Sequence, residues 1–178
     1  MKGNIQMNTL ILGNIIAFVA ASINIIIGII KNKKKILFAQ TIQYVTYAIA
    51  DFILGGITGA ITNLISIFRN ILCYKGKLNK IMIGIIILIS IILTLMFNNL
   101  GFIGLLPLFN NIIYTIFINV KDELKFKILI LIQVFLWLIY DLTIKSYTSA
   151  IFEVITIISC IITSYQIYIS RKKGKQQN

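Results

Sequence analysis

The stretch QYVTYAIADFILGGITGAITNLISIFR, residues 43–69, has a second version later in the same chain. Shifted by 90 positions, Gln43 falls on Gln133, Asp51 on Asp141, Thr58 on Thr148 and Ala60 on Ala150. Matching isoleucines carry little weight in so Ile-rich a chain. Matching Gln and Asp carry more, because both are scarce inside apolar segments. An internal repeat of this kind decides the architecture, so every other feature is placed relative to it.

The sequence around the repeat is 58% hydrophobic and 12% charged, with mean hydropathy +0.94. A soluble domain of 178 residues cannot hide so much apolar surface, which makes residues 1–178 a single integral membrane domain. A spanning helix needs roughly 20 apolar residues. Seven segments meet or approach that length, at 8–30, 36–54, 57–74, 79–97, 100–119, 126–144 and 148–170. The first ends at KNKKK, Lys31 to Lys35, which acts as a stop and marks a retained helix rather than a signal peptide.

Seventeen Lys and Arg face five acidic residues, a formal charge of +12. In a soluble protein that excess would suggest nucleic acid. Here the bases cluster between apolar segments, where they read as topology determinants, and no nucleic-acid partner is expected. With seven crossings only Lys2 and Lys145 fall on one side, and the other fifteen (17 − 2) on the other. The positive-inside rule then puts the N-terminus outside and a basic tail, residues 172–178, in the cytoplasm. Cys73 and Cys160 lie in or at the end of apolar segments, and no disulfide is expected between them.

The repeat reaches the first helix of each half. Asn14, Ala17, Ala21, Asn24 and Gly28 share one helix face by their 3,4,3,4 spacing, and so do Gly101, Gly104, Leu108, Asn111 and Thr115. The offset there is 87, which places three extra residues near Lys121–Glu123. Residues 8–77 and 99–171 are thus two three-helix units, and residues 78–98 a joining helix of Ile, Leu and Met broken only by Ser90 and Thr94. One extra crossing makes the two units parallel. The expected fold is all-α: seven transmembrane helices as two parallel three-helix bundles and a linker helix.

Candidate functional residues are polar groups at membrane depth. Asn63 and Glu153 are equivalent in the third and seventh helices. A carboxylate there costs roughly 2.5–3.5 kcal/mol, so Glu153 is expected to face a cavity, or else to be protonated or paired and to hold the bundle together. Arg69 could bind an anionic substrate group, neutralise Glu153, or snorkel to the headgroups. Asp51 and Asp141 end the second and sixth helices, where they would cap the next helix or gate an outer mouth. Asn24 and Asn111 are equivalent, as are Gln43 and Gln133; each pair could line a pathway or act as interhelical glue. Tyr47 and Trp137 are equivalent aromatics, suited to an interfacial belt or to stacking on a ligand. Gly55, Gly59 and Gly56, Ala60 give small-residue spacings for close packing. The chain has no His, no metal-ligand set, no phosphate loop and no nucleophile triad. Enzymatic activity, a metal and a cofactor are therefore not expected.

The stretches TGAITNLISIFRNILCYK (58–75), GLLPLFNN (104–111) and SAIFEVITIISCIITSYQIYISRKKGK (149–175) resemble the YgjV-type bacterial inner-membrane proteins. The resemblance covers about residues 8–173, and that family is distantly similar to the SWEET/PQ-loop (MtN3-like) transporter superfamily. It implies a 3+1+3 helix arrangement in the bacterial inner membrane and a facilitative carrier of a small solute working by alternating access. It also implies that Asn63 and Glu153 hold substrate, since SWEET-type transporters use an Asn in each of those helices, and that Pro107 is a hinge in the fifth helix. The superfamily's Pro-Gln dipeptide is absent: Gln40 and Gln43 follow Ala39 and Ile42. The expected partners are a small-molecule substrate of unknown identity and membrane lipids, with homo-oligomerisation left open. The alternatives are a non-transporting protein that binds a lipid or partner subunit, and a proton or ion pathway centred on Glu153.

Overall fold

Short polar turns break the apolar sequence into seven α-helices: α1 (Lys2–Ile29), α2 (Lys33–Ile53), α3 (Ile57–Tyr74), α4 (Lys80–Phe97), α5 (Leu106–Phe117), α6 (Glu123–Thr143) and α7 (Tyr147–Gln176). A 3₁₀ turn, Ile103–Leu105, leads into α5. This computed structural model describes residues 2–176, and side chains over 7–172. The side chains of Lys2, Lys173 and Lys175, counted above for topology, lie outside the described residues. There is no strand among the described residues. The helical backbone of α7 runs on to Gln176, so most of the expected tail continues that helix.

Three helices start where a side chain can satisfy the free N–H groups of a first turn. Asn32 accepts from Lys35 N at 3.1 Å, Asn79 from Met82 N at 2.9 Å, and Asp122 from Lys125 N at 2.9 Å. Asn32 and Asp122 stand 90 positions apart, and α2 and α6 share the same length and that same offset. Asp122 also accepts from Arg171 Nη1 at 2.8 Å. The Arg171 guanidinium and the Lys125 N–H hold its carboxyl below the usual carboxylate range.

Six helices are long and apolar enough to cross a membrane, and α5 with its leading turn is shorter. The loops locate its ends. At one end of the bundle, Asn14 Nδ2 donates to Lys145 O at 3.1 Å and Asn99 Nδ2 to Gly55 O at 2.9 Å. This joins α1, the α2–α3 and α6–α7 turns and the α4–α5 connection. At the other end, Lys33 Nζ donates to Val120 O and Asn119 Nδ2 to Leu78 O, both at 3.1 Å. The short α5 therefore leads from one end to the other. It starts late because Gly101 (φ 57°) makes a left-handed turn that a helix cannot continue through. The Gly101 position on the expected helix stripe is accordingly a turn position. Pro107 lies in the first turn of α5, where its missing N–H removes no helical bond. The residue expected as a hinge of that helix stands at its start.

Helix neighbours form a closed ring, α1–α2–α3–α5–α6–α7 and back to α1, with α4 packed on α3 and α5. On α4 only Ile86, Ser90 and Thr94 are buried, a seam at i, i+4 and i+8. The two small polar residues of that helix thus face protein, and its Ile, Leu and Met face outward, where lipid would cover them. Outward apolar residues such as Phe52, Phe68 and Leu88 cover the other helices in the same way.

Two expectations fail here for one reason. Gly56 is the N-cap of α3, and no side chain caps through it. Asp51 and Asp141 are buried in the bundle instead, 1% and 3% exposed. The N–H groups they were expected to cap are served from neighbouring helices: Tyr140 Oη accepts from Gly59 N at 3.0 Å, and Asn14 Oδ1 from Thr148 N at 3.1 Å. The Cα of Gly59 fits against the Tyr140 ring and Asp51, because an added Cβ would lie 2.7 Å from Asp51 Oδ2 and from the ring. Gly55 (φ 82°) has open space around it and serves the turn, not the packing.

Removing the Tyr140 hydroxyl leaves Gly59 N and Thr58 Oγ1, 3.3 Å away, without that partner in a buried setting. We expect Tyr140→Phe to destabilise the protein by about 1–3 kcal/mol, read as a lower melting temperature in detergent. An unchanged melting temperature would mean that α3 does not depend on this cap.

Candidate functional site

The side chains that the repeat places at equivalent positions converge. A cavity of about 30 Å³ is lined by fourteen residues from α1, α2, α3, α6 and α7. Twelve of them are six pairs separated by 90 positions: Gln40 and Ile130, Gln43 and Gln133, Tyr44 and Val134, Tyr47 and Trp137, Asp51 and Asp141, Asn63 and Glu153. Asn24 and Ile27 of α1 complete the wall. That volume holds two waters or so.

Seven of the nine residues expected to bind substrate line this cavity: Asn63, Glu153, Asn24, Tyr47, Trp137, Gln43 and Gln133. Asn63 Nδ2 donates to Asp51 Oδ2 at 2.8 Å, tying α3 to α2. Asn24 Nδ2 donates to Tyr47 Oη at 3.4 Å, and Gln43 Nε2 to Ala20 O at 3.5 Å. Tyr47 is buried, which removes it from an interfacial belt. The Trp137 ring packs edge-on against Tyr140, centroids 5.5 Å apart.

Arg69 and Asn111 lie elsewhere, in a second polar cluster. Arg69 is 0% exposed, so it does not snorkel. Its guanidinium donates to Asn70 Oδ1 at 3.2 Å, to Asn111 Oδ1, and to Tyr44 Oη at 3.4 Å. It also sits over the Tyr114 ring at 4.4 Å from the centroid. No carboxylate pairs with it: among the described residues the one ion pair is Arg171–Asp122. The neutralisation of Glu153 by Arg69 expected from sequence is not made. Asn111 in turn donates to Ser90 Oγ at 2.7 Å, which fixes α5 to the α4 seam. Lys127, counted above among the loop bases, is also fully buried, and donates to Ile27 O at 2.9 Å and Gly28 O at 2.7 Å. It closes the last turn of α1, so Arg69 and Lys127 are interior cations.

A hydrogen-bond chain joins the two clusters. Tyr44 Oη accepts from Arg69 Nη2 on one side and from Gln133 Nε2, at 2.6 Å, on the other. Gln40 Oε1 accepts from Tyr114 Oη at 2.8 Å and from Asn70 Nδ2 at 3.3 Å, while Gln40 Nε2 reaches Gln133 at 3.5 Å. Sequence reasoning missed Gln40 and Tyr44. Their signal was position: each lies one helical turn from a residue already singled out, Tyr44 from Tyr47 and Gln40 from Gln43. It also left Asp51 and Asp141 out of the site, although their equivalence was plain.

Arg69 is a buried cation held by dipoles and rings, so its replacement should be costly. We expect Arg69→Ala to lower stability by about 3 kcal/mol or more. Arg69→Lys should fail to rescue it, because one ammonium cannot reach Asn70, Asn111 and Tyr44 together. Full rescue by Lys in a thermal melt would contradict this.

No curated protein and no solved structure matches this chain. A family model does match, over residues 11–171, nearly the whole length. The chain belongs to the Imp-YgjV family, a bacterial inner membrane protein family.

Proposed function

We propose that this inner-membrane protein is a small-solute carrier whose two three-helix units, α1–α3 and α5–α7, are related by a pseudo-twofold axis through the cavity, with α4 as the joining helix. The observation that carries this reading is the set of six lining pairs 90 positions apart. A structural repeat could be kept for folding alone. A repeat whose polar members meet at a shared central cavity is the arrangement that alternating access requires, since the binding site must lie between the units that rock. The helix ring supports the same symmetry, because α1 beside α7 corresponds to α5 beside α3.

Topology follows from the ends of the bundle. The end carrying Lys31–Lys35, Lys75, Lys77, Lys121 and Arg171 is cytoplasmic under the positive-inside rule, and the end carrying Lys145 is outside. The Arg69 cluster then closes the cavity toward the cytoplasm, and Tyr140 with the packed α2–α3 turn closes it toward the outside. The conformation is an occluded one: a cavity this small admits water but not a ring-bearing solute, so a substrate enters only after the units separate. The protein acts by binding and moving its solute, without catalysis.

A ligand screen by thermal shift tests this on the purified protein. A solute that binds the folded state stabilises it by about 2.7 kcal/mol at a hundredfold excess over Kd. We expect at least one small metabolite to raise the melting temperature with concentration, and Asn63→Ala and Glu153→Gln each to erase the shift. A screen in which only a lipid or a co-purified protein stabilises the wild type would replace the carrier by a binding module.

A further inference from the structure

Asp51, Asp141 and Glu153 come from α2, α6 and α7 to one small cavity, and no basic side chain lines it. The three differ in their partners. Asp51 is held by Asn63 at 2.8 Å. Asp141 and Glu153 line the same cavity from α6 and α7, with no basic side chain beside them. Carboxyls gathered in one small cavity without a cation favour holding a proton over carrying adjacent negative charges. Glu153 Oε2 has no partner, although the residue is 2% exposed. A buried carboxyl oxygen without a donor, on the wall of a cavity that fits water, is placed to exchange a proton with that water.

The groups facing Glu153 leave a proton as the fitting occupant. Opposite it, α2 presents Asp51 and the phenol of Tyr47, α6 presents Asp141, and α3 and α1 present the amides of Asn63 and Asn24. The two interior cations, Arg69 and Lys127, are outside the lining and engaged elsewhere. Among the described residues no three acidic groups converge closely enough to hold a metal ion.

We infer that the Asp141–Glu153 pair is a proton-binding element, and that through it the carrier's movement is linked to movement of a proton. The exchange balances simply. The proton passes from the pair to cavity water, no other bond breaks, and two adjacent carboxylates remain in a site with no cation. That charged state cannot persist in the closed cavity, so proton release belongs to a conformation in which the cavity opens, and reprotonation precedes closure. The linkage rests on the carrier reading; the proton site itself stands on the carboxyl geometry.

Infrared spectroscopy of the purified full-length protein in detergent, titrated over pH, tests the site without needing a solute. We expect a protonated-carboxyl band that falls as pH rises, accounting for about one proton per protein for Asp141 and Glu153 together. Glu153→Gln should abolish it. Asp141→Asn should move its frequency, because the remaining proton then faces an amide. Asp122→Asn, on the surface, should leave it unchanged. If Glu153→Gln does not fold, judged by its helical circular dichroism, the Asp141→Asn shift decides alone. The inference is overturned if the folded wild type has no such band at any pH, if the band ignores both cavity substitutions, or if sodium or potassium removes it at constant pH. A clear band together with an empty thermal-shift screen would remove the carrier and keep the proton site.

Discussion

Burying a charge inside a membrane bundle is tolerated only where another group answers it, and most of this structure follows from that constraint. Four kinds of answer occur. Arg69 is answered by amide oxygens and tyrosine rings, Lys127 by the free carbonyls at the end of α1, and Asp51 by the Asn63 amide. Asp141 and Glu153 share a cavity wall that carries no basic side chain, so the answer left to them is a proton. The Asp51–Asn63 bond ties the consecutive helices α2 and α3, while those of Arg69 and Lys127 reach helices distant in sequence, so the bonds that hold the charges also fix which helices are neighbours. In a bundle whose outer surface is isoleucine, leucine and phenylalanine, lipid offers nothing to choose between one helix pairing and another. The polar interior does the choosing.

The separation of cations from carboxyls is the second consequence. Arg69 and Glu153 could in principle have neutralised one another. Instead, Tyr44 Oη accepts from Arg69 on one side and from Gln133 on the other, so the guanidinium meets the cavity wall only through two neutral side chains. A direct ion pair would stitch α3 to α7 across the centre of the bundle, and truncating one partner of such a pair is expensive. A chain of single hydrogen bonds is broken one bond at a time. On the carrier reading proposed above, in which two units separate and close again, this relay is the softer joint.

The helices and the repeat were legible in the sequence because period and offset are properties of the chain alone. The bounds of α3 and α4 agree with the expected segments within one residue, and the offset of 90 reappears in α2 and α6. Most of the cavity lining was legible for the same reason: polar residues 90 positions apart meet there. What was not legible depended on rotation and on competition. Asp51 read as a helix cap because it stands near a helix end, yet the hydroxyl of Tyr140, 81 positions away from Gly59, takes that bond and frees Asp51 for the interior. Snorkelling stayed open among the readings of Arg69 because a helix end is near. The rings of Tyr44 and Tyr114, from two other helices, hold it inside. Pro107 and Gly101 read as parts of one long helix because apolar content continues through them, although a left-handed glycine ends any helix that reaches it.

The departures from symmetry are informative about how such a protein could move. Asn24 reaches the cavity and its counterpart Asn111 does not, because Ser90 on α4 and Arg69 on α3 take the Asn111 side chain. The helix α4 therefore does more than carry the chain across: it binds α5 to α3 and withdraws the second unit's first helix from the central wall. The cavity is left with contributions from α1 but none from α5, and α5, short and with proline in its first turn, is tied into the Arg69 cluster. Two units equal in sequence plan are thus unequal in attachment. On the carrier reading proposed above, Asn111 with Arg69 and Ser90 ties α5 to α3 and α4, whereas Gln133 Nε2 to Tyr44 Oη joins α6 to α2 beside the cavity by a single bond.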